Sequence, residues 1–143
     1  IKICYNLKEA IVMTKTRSEL RNIAMIILYQ IDIYEDRKVP FEIDEVIKAN
    51  LEIDNEFVKD IVYGVTTYKS TLDEIANKYI DGWTIDRIDK TGAAILRMGL
   101  YELKFTNTPE VVVINEAIEL SKKYCDDAVR KIINAVLDKY MKA

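Results

Sequence analysis

The stretch TPEVVVINEAIEL, Thr108 to Leu120, decides the fold. Val111-Val112-Val113-Ile114 has the β-branched content of a strand, yet the residues on both sides read as a helix. Thr108 suits an N-cap and Pro109 the first helical position. Glu110 sits well in a first turn, where the macrodipole favours an acid. From there Val113, Ile114, Ala117, Ile118, Ser121 and Tyr124 keep helical spacing, and Glu119 and Lys123 form an i, i+4 pair. The stretch therefore predicts a helix whose buried first turn holds the valines. Its Asn115-Glu116 pair has no catalytic companion and reads as structural, linking helices or capping a loop by hydrogen bonds.

Helical spacing extends in both directions. From Arg17 to Tyr34, Leu20, Ile23, Ala24, Ile27, Leu28, Ile31 and Tyr34 form one amphipathic stripe. Arg17 and Arg21 stand near its start, where cations oppose the helix dipole, so helix stability does not explain them. Val39-Pro40 breaks the chain before a short helix over about 42–50. Asp54 predicts the cap of a long helix ending near Tyr79, stopped by Asp81-Gly82. A short helix over 84–89 follows. The segment 90–106 is apolar on two sides, which predicts a helix surrounded by others at the centre of the fold. Gly92 and Gly99 would allow a neighbour to approach it closely. A last helix runs over about 126–140. The pattern is all-α, with six or seven helices.

Composition agrees. Of 143 residues, 50% are hydrophobic and 31% charged, the balance of an ordinary globular domain, and four Gly with two Pro favour long helices over turn-rich sheets. No histidine occurs. Ser-His-Asp and Cys-His systems and His-ligated zinc are thereby excluded. Cys4 and Cys125 have no metal-like spacing and read as free cytosolic thiols. No phosphate or dinucleotide fingerprint and no membrane-length apolar run is present. A helical binding module fits better than an enzyme, with no catalytic, cofactor or metal residue to name. Met13 is read as the physiological start, giving an extra segment at 1–12 and a helical domain at 13–143.

Net charge is -3, but its distribution is uneven. Nine acids against three bases between Asp32 and Glu56 give a local charge of -6, read as a solvated surface; the alternative reading is a face that repels RNA and orients it toward the other side. The ends are basic. Lys15, Arg17 and Arg21 stand against Glu19 near the start; Lys122, Lys123, Arg130, Lys131, Lys139 and Lys142 stand against Asp126, Asp127 and Asp138 near the end. If the first and last helices pack side by side, the two groups make one patch. Cations there would neutralise phosphate, and Tyr29 would offer a ring to unstacked bases.

Several blocks together resemble the NusB family of bacterial antitermination factors. They are Ile27-Leu28-Tyr29-Gln30, Phe57 to Val65, Leu72-Asp73, Ala94 to Leu103 (AILRMGLYEL), Pro109 leading into Ile114 to Lys122 (INEAIELSK), and Lys131 to Asp138 (KIINAVLD), in the family's order. The resemblance implies a bundle of about seven helices in two three-helix subdomains and no enzymatic activity. It also implies a cytoplasmic protein that binds the boxA element of ribosomal RNA leader transcripts together with NusE, within the RNA polymerase antitermination complex, so promoting read-through and rRNA maturation. Homodimers and an absence of membrane partners fit the same resemblance. Carried over by motif, the RNA-binding residues are Lys15, Arg17, Arg21, Tyr29, Tyr79, Arg130, Lys131 and Asn134. Asp89 is the candidate partner contact, standing in for an acid absent from Thr91-Gly92-Ala93. Ser18 and Glu19 deplete the basic arm. Two other readings remain: a protein adaptor whose RNA binding has weakened, and the NusB-like N-terminal domain of an rRNA methyltransferase.

Overall fold

A computed structural model describes residues 15–143; the expectations for Cys4, Met13 and the 1–12 segment lie outside the described residues. Among the described residues there are seven α-helices and no strand: α1 (Arg17–Asp36), α2 (Ile43–Asn50), α3 (Glu56–Thr67), α4 (Lys69–Tyr79), α5 (Lys90–Phe105), α6 (Glu110–Tyr124) and α7 (Asp127–Lys142), with a 3-10 turn at Ile85–Arg87 before α5. The first group centres on α1, which packs on α2 and α3. The second comprises α5, α6 and α7, with α4 laid on α5 and α7. Helix α5 joins the groups by also packing on α1 and α3. Every residue from Gly92 to Glu102 is buried, as its two-sided apolar pattern predicts.

The glycines of α5 face α7. A Cβ on Gly92 would stand 2.5 Å from Val129 Cγ1, and one on Gly99 3.0 Å from the Leu137 methyls. Gly64 does the same for α3, where a Cβ would lie 2.2 Å from the Tyr101 ring. All three sit where helices cross at short range.

The opening stretch is helical, with two corrections. Pro109 is the cap position and makes no side-chain bond, while the Thr108 backbone N–H donates to Thr106 Oγ1 at 3.3 Å. Of the valines only Val113 is buried; Val111 and Val112 point to solvent, because the contact face of α6 begins at Val113 and continues through Ala117, Leu120 and Ser121. The single helix expected from Asp54 to Tyr79 is two. Asn55, not Asp54, caps α3 by accepting from Val58 N–H at 3.1 Å. The chain leaves the helix at Tyr68, φ -102° and ψ 17°. The run Val65-Thr66-Thr67 is β-branched, and Thr66 Oγ1 donates back to Val62 C=O at 2.7 Å, a pattern that loosens a helix end. The Tyr68 ring then stacks on Phe105, with centroids 4.4 Å apart.

Asp32 departs from the acidic surface expected around it. It is half-buried, with Lys69 Nζ at 2.9 Å, Arg97 Nη1 at 3.6 Å and Lys90 Nζ at 3.7 Å. Arg97 also holds Asp73 at 2.7 Å. Burial pushes the Asp32 pKa up, but the Lys69 hydrogen bond and the three cations outweigh it, and the net shift is downward.

Candidate nucleic-acid interface

The first turn of α1 is built on a capping box. Thr16 Oγ1 accepts from Glu19 N–H at 3.1 Å, and the Glu19 carboxylate accepts from Thr16 N–H at 3.3 Å. Glu19, which dilutes the basic arm, is thus the residue that closes the helix start.

From this turn Ser18 and Asn22 project toward α6, which packs chiefly on α5 and α7 and stands off from α1. The gap is an open groove of about 620 Å³. Ile23 and Leu120 contribute its apolar lining, Lys15, Lys122 and Lys123 its cations, and Glu19, Glu116 and Glu119 its carboxylates. Two bonds span the helices: Ser18 Oγ donates to Glu116 Oε1 at 2.6 Å, and the Tyr124 hydroxyl donates to Asn22 Oδ1 at 2.7 Å. The second fixes a ring that is 42% exposed, with Lys123 Nζ 6.0 Å from its centroid. Tyr29, 37% exposed, lies seven residues beyond Asn22 on the same face of α1, two turns or about 10 Å farther along.

Arg21 is corrected. It is 3% exposed, and its guanidinium donates from Nε to Glu102 Oε2 at 2.9 Å and from Nη2 to Glu102 Oε1 at 2.8 Å, with Glu116 at 3.9 Å. Burial alone would lower its pKa; the Glu102 hydrogen bond and charge, with Glu116, more than offset this and raise it. Its fork is taken inside the protein and offers no phosphate contact. Arg17 is exposed and lies over the Phe57 ring, 4.1 Å from the centroid. Glu116 therefore links α6 to α1, as expected of the Asn115-Glu116 pair; Asn115 is simply exposed.

The basic ends do not merge as expected, because α7 packs on α4, α5 and α6 while α1 packs on α2, α3 and α5. Arg130, Lys131 and Asn134 thus sit on a separate helix. Arg130 is paired with Asp127 at 2.9 Å; Lys131 and Asn134 are on its exposed face. Tyr79 is half-buried, edge-on to Tyr140 at 6.4 Å between centroids. Asp89 caps α5 by accepting from the Gly92 N–H and is itself exposed. The cations that α1 does meet are Lys122 and Lys123, at the end of α6.

A profile of the NusB family matches residues 18–142. The chain belongs to the NusB family. Curated NusB relatives include the transcription antitermination protein NusB of Pediococcus pentosaceus, 37% identical over 91% of this chain and 100% of that protein. The protein of the same name from Staphylococcus aureus is 38% identical over 89% of this chain and 99% of its own length. Among solved structures, T. maritima NusB superposes with a TM-score of 0.76 at 26% identity, covering 90% of this chain and 92% of that one. A complex described as antitermination factors NusB and NusE with double-stranded RNA contains a chain that superposes with a TM-score of 0.75 at 28% identity, covering 88% and 96%. The all-α NusB fold is thereby established.

Among the described residues no helix is long and apolar enough to cross a membrane, and no group of three or more acids or cysteines could hold a metal ion. Cys125 is a free, half-buried thiol, its pKa pushed up to about 11 by burial and by Asp89 and Asp126. A buried thiol with a raised pKa is little ionised at neutral pH.

Sequence reasoning missed Ser18, Asn22 and Tyr124. It counted Lys122 and Lys123 among the basic residues near the end without placing them at the site. A signal for Lys123 and Tyr124 was available: with Glu116 and Leu120 they share one stripe of α6 at i, i+3 and i, i+4 spacing.

Proposed function

We propose that this chain is a non-enzymatic, cytoplasmic transcription antitermination factor that binds boxA-type single-stranded RNA of ribosomal RNA leaders together with NusE. Acting with the RNA polymerase complex, it promotes read-through and rRNA maturation. The observation that carries the RNA reading is the α1–α6 groove, lined by Lys15, Lys122 and Lys123, with the Tyr124 ring bonded to Asn22 of its wall and Lys123 beside that ring. Ammonium groups there neutralise phosphates, and Tyr124 and Tyr29 stack bases. Arg17 adds a cation on the other flank of α1. Glu119, exposed at the groove wall, pairs with Lys122 at 3.3 Å, and a phosphate would compete with it for that lysine. Lys131 and Asn134 on α7 extend the RNA contact, and Arg21 is left out of it.

Fluorescence anisotropy with boxA and scrambled RNA, with and without NusE, at two salt concentrations tests this. Preference for boxA that strengthens with NusE is expected. Replacing Lys15, Lys122 and Lys123 with Ala lowers the log–log salt slope by about 2, the share of three single-strand phosphate contacts. Equal binding to both RNAs throughout would sink the proposal. The adaptor reading draws on one observation, the three carboxylates lining the groove beside its lysines, and would be favoured by NusE binding without RNA selectivity.

A further inference from the structure

We propose that Phe57 is a positioning residue for RNA binding, acting through Arg17; this rests on the RNA-binding reading above. Phe57 stands in the first turn of α3 and is half-buried against the core. Two guanidinium groups lie on its ring, Arg17 at 4.1 Å and Arg21 at 5.1 Å from the centroid. Their charges have different fates. Arg21 is neutralised by Glu102 and Glu116, whereas Arg17 pairs with no carboxylate among the described residues. Arg17 therefore carries the uncompensated positive charge of this corner.

Stacking occupies only the face of a guanidinium. Its N–H donors lie in the plane and stay free to grip a phosphate through two parallel bonds. A free arginine loses much rotamer freedom when it binds; one already laid on a ring loses less. Phe57 thus holds the cation beside the start of α1, where Arg17 is exposed. A lysine at 17 would keep the charge without the fork, and a branched aliphatic residue at 57 would keep the apolar contact without the ring quadrupole.

A double-mutant cycle tests this, read by anisotropy with single-stranded boxA RNA at low salt and well below each variant's unfolding temperature. Phe57→Leu should weaken binding about two- to fivefold, the range of an exposed cation–π contact. The same replacement in an Arg17→Ala background should change binding by less than about 1.5-fold, because coupled residues are non-additive. Phe57→Tyr should bind like the wild type. Should Phe57→Leu fold poorly, the surface variant Arg17→Lys still decides: it should lose at least about twofold despite conserving charge. Equal loss from Phe57→Leu in both backgrounds would show action through the fold and overturn the proposal, as would wild-type affinity in Arg17→Lys. Wild-type protein that fails to bind RNA at either salt overturns the RNA reading itself, an outcome distinct from RNA binding indifferent to position 57.

Discussion

Replacing Arg21 with Ala should damage the fold and spare the RNA surface, the reverse of what its place in a basic arm suggests. The Arg21 and Glu102 side chains are 4% and 3% exposed, joined by two hydrogen bonds of 2.8 and 2.9 Å. Truncating the arginine leaves the Glu102 carboxylate without its cation in the middle of the helix assembly. Removing one partner of a buried pair costs about 3–5 kcal/mol, and loss of the second cation on Phe57 adds about 0.5 kcal/mol. Against a typical total of about 5–15 kcal/mol that is a large share. At about 3 °C per kcal/mol for a chain of this size, the midpoint should fall by roughly 10 °C or more. Circular dichroism on heating and urea titration measure it. A second variant, Arg21→Met with Glu102→Leu, removes both charges and should recover most of the loss, since a well-packed apolar pair substitutes for a buried ion pair at little cost. At a temperature where Arg21→Ala is folded, its RNA affinity should stay within about twofold of wild type with an unchanged salt slope, whereas Arg17→Ala should lower the slope by about 0.7. A stability loss under about 1 kcal/mol, or a lowered slope for Arg21→Ala, would refute the division of labour between the two arginines.

Other consequences are as direct. Asp32 has its pKa lowered by Lys69, Arg97 and Lys90 against the opposing effect of burial. Its contribution is therefore full above the ordinary carboxylate pKa of about 4 and drains away as pH falls through the lower folded value; Asp32→Asn should flatten the wild-type loss of stability below about pH 4 in urea titrations. Gly64→Ala would drive a Cβ to 2.2 Å from Tyr101, so overpacking of about 1–3 kcal/mol should exceed the gain in helix propensity of about 1 kcal/mol, measured by thermal unfolding. Tyr124→Ala should weaken boxA binding by about 1–3 kcal/mol, the worth of one stacked base. Tyr124→Phe keeps the ring but frees it from Asn22 and should fall between Ala and wild type in anisotropy.

Much of the fold was legible because helical spacing is a local property. The centrality of α5 followed from an apolar pattern on two sides, and the close approach at Gly92 and Gly99 from their spacing. What failed was set by tertiary contact. The α3–α4 break falls at Tyr68, whose ring stacks on Phe105, thirty-seven residues away, and the chain itself carries only the weak signal of Val65-Thr66-Thr67. A buried first turn for α6 holds only for Val113; Val111 and Val112 are exposed because the contact face of α6 begins at Val113.

The interface was less legible for a physical reason. A count of charges treats every cation as available, while burial decides which are. Arg21 and Glu102, eighty-one positions apart, cancel inside the fold; Lys122 and Lys123, more than a hundred positions from Lys15, are brought beside it. Even Glu19 changes meaning: it subtracts a charge from the basic arm, yet closes the capping box that fixes where α1 begins. The bonds from Ser18 to Glu116 and from Tyr124 to Asn22 then set the width of the groove and the attitude of its ring. Helix start, groove and stacking ring are consequences of the same few side chains. A variant that removes the Thr16 cap should therefore loosen the groove wall formed by the first turn of α1 and weaken RNA binding without touching any cation, a coupling that charge patterning alone does not contain.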